Sequence, residues 1–168
     1  MRVTWLPLCV LLCIPALQAG EKLPAAASLT GLPGAFVGVS VTSVSQRTPM
    51  PSTSQLIQEI AAQLRNAGVH PMLGADELLQ TPGMPGLTVH LDQWHSAGQP
   101  LGWVCRAELH ENAALERDPA RVSRIVVWNS PPAVAVTPGG AFDPKARELV
   151  TSQVRYFIQA YKAANPPK

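Results

Sequence analysis

The stretch TVHLDQWHSAG, residues 88–98, sets His90, Asp92 and His95 close together beside Trp94. Imidazole and carboxylate are donors for zinc and related ions. Such a site needs three or four of them converging at about 2.0–2.3 Å on one point. Strand alternation sends Leu87, Val89 and Leu91 to one face and Thr88, His90 and Asp92 to the other. His90 and Asp92 then share a face, about 7 Å apart along the strand. His95 takes the opposite parity unless the turn at HSAG re-aims it.

One strand supplies only a pair of ligands, so a neighbour must complete the set. The following strand offers Arg106, Glu108 and His110 on its polar parity. The candidate metal residues are therefore His90, Asp92 and His110, with Glu108 a conceivable addition. Arg106 falls in the same patch, and its charge repels a dication. The competing reading is a row of polar side chains on a solvated sheet face.

Other chemistry is thinly represented. Cys105 alternates with Trp103, Ala107 and Leu109, which is core parity, whereas a thiol nucleophile needs an accessible, electropositive place near a histidine. A cysteine activity pairing Cys105 with His110 ranks last for that reason. No Gly-x-Ser-x-Gly elbow and no Gly-rich phosphate loop before a helix occurs. Glu111, Glu116 and Asp118 scatter around a hairpin tip. Trp103 has core parity, while Trp94 and Trp128 lie near strand ends and are candidates for an exposed binding surface.

These residues must be positioned by the elements around them. Residues 35–45 alternate valine with small or polar side chains, a strand covered on one side. Ser52 with Gln55 forms a capping-box pattern, Leu56, Ile57, Ile60, Ala61 and Leu64 follow helical spacing, and Gly68 suits the helix end. VHPML then reads as a short strand, making 35–73 a strand–helix–strand unit with a parallel pair. Ala75–Gln80 holds one helical turn. Strands follow over Leu87–His95, Leu101–Leu115 and Val122–Val136, the last bent, broken or at an edge because of Pro131 and Pro132. Asp143 caps a closing helix with Pro144 first, and Ala146, Leu149, Val150, Val154, Phe157, Ile158 and Tyr161 form its apolar stripe. The expected fold is an α+β two-layer sandwich. A mixed sheet of four or five strands carries two main helices on one face, in the order β-α-β-β-β-β-α.

The amino terminus reads as a processing signal. Arg2 precedes the apolar run LPLCVLLCIPAL, and Ala19 stands before a plausible cut, so residues 1–19 are expected to be a cleaved secretory signal. Residues 20–34 read as a leader and 35–165 as a single domain, which places the protein in the periplasm or outside the cell. Cleavage removes Cys9 and Cys13 and leaves Cys105 unable to form an internal disulfide. The chain has 13 basic and 11 acidic residues with no basic run, which argues against nucleic acid and anionic lipid as partners. The mature chain is expected to lack a membrane span, and no cofactor is implied.

The helix ending NAGVHPML, the segment TPGMPGLTVHL and the last helix VRYFIQAYKAANP together resemble a group of small exported bacterial proteins of unknown function. That group shares a Pro-Gly turn before a strand and an aromatic-rich final helix ending in Asn-Pro, here Asn165-Pro166. The first unit also resembles the amino-terminal domain of the periplasmic protein TolB and related envelope-assembly modules. The resemblance implies fold but transfers no catalytic residue. The expectation is a non-enzymatic exported module that binds another envelope protein or a small ligand. The alternative is a metal-binding protein or metal-dependent hydrolase using His90, Asp92 and His110.

Overall fold

Alternating valines build β1, Ala35–Thr42, with Val37 buried beneath the helices and Ser40 and Thr42 open to solvent. The structure, a computed structural model, describes residues 27–42, 51–96, 99–136 and 142–167. The expected signal segment lies outside them. α1 spans Thr53–Asn66. The Ser52 side chain accepts a hydrogen bond from the Gln55 amide at 3.5 Å, and the expected stripe is buried at Leu56, Ile60, Ala61 and Leu64. Only half of a capping box forms, because the Gln55 side-chain oxygen accepts from Arg147 at 3.0 Å. Gly68, at φ 81°, ends the helix in the left-handed conformation that glycine adopts without strain.

β2, Pro71–Met72, then pairs in parallel with β1, and α2, Ala75–Gln80, follows. β3, Gly86–Ser96, also pairs in parallel with β1, and β4, Gln99–Leu115, returns antiparallel to it. Both strands reach further than the alternation alone suggests, so the connections are shorter. β5, Asp118–Asn129, and β6, Ala133–Val136, both pair antiparallel with β4, giving a sheet in the order β2-β1-β3-β4-β5 with β6 also on β4. They divide the single strand expected over 122–136. Pro131 and Pro132 lack amide donors and break the ladder there. Ser130 fills the gap: its amide donates to the Ala107 carbonyl and its hydroxyl accepts from the Ala107 amide, each at 2.8 Å.

α3 runs Phe142–Ala164, so it starts before Asp143 rather than being capped by it. Pro144 is tolerated because the first-turn amides have no intrahelical acceptor in any case. The helix buries Ala146, Leu149, Val150, Val154, Phe157 and Ala160 against the sheet, with Ile158 and Tyr161 partly buried. Arg147 joins α3 to α1 through Glu59 and Gln55.

Part of the expected leader belongs to this core. Leu29, in a single 3-10 turn over Ala27–Leu29, and Leu32 are both buried. Asn165 holds them: its side-chain amide donates to the Leu29 carbonyl at 2.7 Å and its oxygen accepts from the Gly31 amide at 2.7 Å. Tyr161 Oη donates to the Leu32 carbonyl at 3.2 Å. The Asn-Pro ending of the last helix thus has a structural task.

Candidate functional site

The β3–β4 pairing decides which polar side chains meet. His90 stands opposite Arg106, Thr88 opposite Glu108, Gly86 opposite His110 and Asp92 opposite Val104. Leu87, Val89, Leu91, Trp103, Cys105, Ala107 and Leu109 point into the core. The intervening residues point to the face that the helices leave uncovered.

On that face Glu108 is the centre. Its Oε2 lies 3.3 Å from His90 Nε2 and 3.3 Å from His110 Nε2, while Oε1 accepts from Arg106 Nε at 3.0 Å. Arg106 also donates through Nη1 to Asp92 Oδ2 at 3.3 Å. The two imidazole nitrogens and the Glu108 oxygen all lie within 4.8 Å of one another. The three side chains are only 20–23% exposed, and His90 Nε2 is closed to solvent without a hydrogen-bond partner. Burial pushes the Glu108 carboxyl up. The Arg106 hydrogen bond, with the charges of His90, Arg106 and His110, outweighs burial and holds it below its ordinary value.

Of the residues expected to hold a metal, His90 and His110 converge and Asp92 does not. The register explains that placement. His110 faces Gly86, six residues from Asp92 and so roughly 20 Å along β3. Asp92 is instead diagonal to Arg106 and pairs with it. Glu108 is diagonal to His90 and adjacent in alternation to His110, within reach of both imidazoles. Placing Glu108 ahead of Asp92 required the hairpin register, which alternation along each strand leaves open. The backbone register shifts between Trp94 and His95, and the His95 side chain lies outside what the structure describes.

The two tryptophans separate. Trp94 is 36% exposed on the open face, where its indole lies over Gly102. A β-carbon at Gly102 would sit 2.8 Å from Trp94 Nε1 and would collide with the Ala135 carbonyl. Trp128 is not a surface residue: it is 8% exposed and packs edge-on against Phe157, ring centroids 5.2 Å apart. A bulge is responsible. β4 pairs His110 with Val126 but Leu109 with Trp128, so the extra residue Val127 reverses the parity and turns Trp128 inward. Cys105 is buried, and burial pushes its thiol up to about 12, with Asp92 adding to the rise and Arg106 opposing it. A thiol held so far from ionisation is not a nucleophile at neutral pH.

Beside the charged cluster lies an apolar strip. Trp94, Gly102 and Val136 run across the strands in one row, and Val104 and Val134 form the next. Val134 and Val136 are exposed, as are Val122 and Val126 further along the sheet.

No protein-family model matches this sequence, and no curated protein matches it. Solved structures similar to this chain at low identity include the following three. A dodecameric PelC variant from Paraburkholderia phytofirmans is 14% identical with TM-score 0.42, over 77% of this chain and 89% of that one. The hypothetical protein CT253 from Chlamydia trachomatis is 11% identical with TM-score 0.44, over 79% and 99% respectively. The rare lipoprotein B from Shewanella oneidensis is 14% identical with TM-score 0.26, over 76% and 89%. None of the three is a TolB domain. Likenesses at this level carry no information on activity, ligand or assembly.

Proposed function

We propose that this chain is an exported, non-enzymatic module that binds a partner, another envelope protein or a small ligand, across its open sheet face. One observation carries the reading. α1 and α3 both cover the same side of the sheet, and the other side sets exposed Trp94, Val134 and Val136 beside the Asp92–Arg106–Glu108 charges. Adjacent exposed apolar side chains rimmed by charge are the composition of a recognition surface. An aromatic anchor with a paired arginine next to it is the arrangement that concentrates binding energy. Among the described residues no helix is long and apolar enough to cross a membrane.

Export rests on the residues of the amino terminus. It predicts a chain in the exported fraction that begins at or near Gly20; a cytoplasmic chain retaining Met1 contradicts it. Docking is tested in cells by placing a photo-crosslinking residue at Val136 and, as a control, at Gln58 on the exposed side of α1. A discrete adduct from Val136 and none from Gln58 is expected. Equal labelling at both positions, or none at Val136, removes the reading.

A further inference from the structure

We propose that His90, Glu108 and His110 bind one divalent transition-metal ion of the zinc type, with a coordination position left open on the uncovered sheet face. The site is independent of the docking reading and stands or falls without a partner.

The spacing of the donors is the first argument. Tetrahedral ligands at about 2.0–2.1 Å from zinc lie about 3.3–3.4 Å from one another. Glu108 Oε2 is 3.3 Å from each imidazole Nε2, so two of the three edges already have that length. The third, between the two imidazoles, is no longer than 4.8 Å and closes by rotation of the side chains.

Hydrogen bonding supplies the second. His90 Nε2 is closed to solvent and lacks a hydrogen-bond partner, although a carboxylate oxygen stands 3.3 Å away. A buried ring nitrogen left in that condition is costly. A cation placed between the nitrogen and the carboxylate satisfies both at once.

The third argument is electrostatic. Arg106 would repel a dication if it were unmatched, but Asp92 and Glu108 both hold its guanidinium, at 3.3 and 3.0 Å. With neutral imidazoles Asp92, Arg106 and Glu108 sum to -1, and the Arg124 guanidinium, which lies against Gly86 opposite His110, offsets that to zero before an ion binds. Arg106 also restrains Glu108 through Oε1 and leaves Oε2 directed at the histidines, the outer-sphere orientation that metal carboxylates use. Asp92 therefore serves the site by neutralising Arg106 and is not a ligand. Three protein donors on two paired strands form a preorganised site whose next ligand is water or an incoming donor.

The test uses purified protein without an affinity tag, stripped with chelator and titrated with Zn2+ against a chromophoric competitor. Co2+ is the spectroscopic probe of coordination. One ion per chain is expected, with tetrahedral d–d absorption for cobalt. His90→Ala and His110→Ala should each weaken binding about 100-fold or more, while Asp92→Asn should cost about tenfold, the lower end of the range of outer-sphere changes. His110→Gln, which keeps bulk and polarity, is the second variant should the alanine form unfold. Absence of stoichiometric uptake overturns the proposal. So does binding unchanged in the folded histidine variants, and so does an Asp92→Asn loss equal to that of His110→Ala, which would require a different ligand set.

Discussion

The two faces of the β3–β4 pair are built from the same strands and the same register, yet they are opposites. One face carries leucine, valine, tryptophan and Cys105 under α1 and α3; the other carries His90, Asp92, Arg106, Glu108 and His110, on the side away from those helices. The covered face holds its shape through buried apolar area, at about 25 cal/mol per Å². The open face has a polar network whose members are held mainly by one another. Substitutions on the first should cost stability, and substitutions on the second should cost binding.

The largest effect expected from that contrast concerns the tryptophans. Trp128→Ala should lower stability by about 3–5 kcal/mol, while Trp94→Ala should cost roughly 1 kcal/mol or less, as read by denaturant unfolding. Equal losses would mean that the bulge does not divide the two residues between core and surface. Asn165→Ala removes both side-chain bonds to residues 29–31 and should cost about 1–3 kcal/mol. It should also make that segment more susceptible to protease, and unchanged cleavage would detach it from the core.

A smaller effect appears in acid. The Glu108 carboxyl is held below its ordinary value in the folded protein, so its contribution to stability is full above the unfolded value. That contribution is lost as pH falls through the lower, folded one. Glu108→Gln should accordingly flatten the dependence of stability on pH in that acidic window. A steeper acid dependence in the variant would reverse the sign assigned to Glu108.

Much of this architecture was legible before the coordinates. Periodicity located α1 and α3, and the parallel β1–β2 pair followed from the strand–helix–strand unit. Parity alone sent Cys105 inward and His90 outward. Trp128 was misplaced because a position near a strand end was read as exposed, whereas the bulge at Val127, which has no signature in composition, turns the ring into the core. Asp92 was preferred to Glu108 because spacing within one strand is visible in a sequence, whereas the pairing of Gly86 with His110 is a tertiary fact. Leu29 and Leu32 were assigned to a leader because their partners, Tyr161 and Asn165, lie at the far end of the chain.

Thermal unfolding of the wild type and of His110→Ala, each with chelator and with excess Zn2+, tests the separation of the faces most directly. In chelator the two proteins should melt together. Zinc at about a hundredfold excess over Kd should stabilise only the wild type, by about 2.7 kcal/mol. A variant that melts far earlier in chelator, or a zinc shift of equal size in both proteins, would contradict a functional open face resting on a structural covered one.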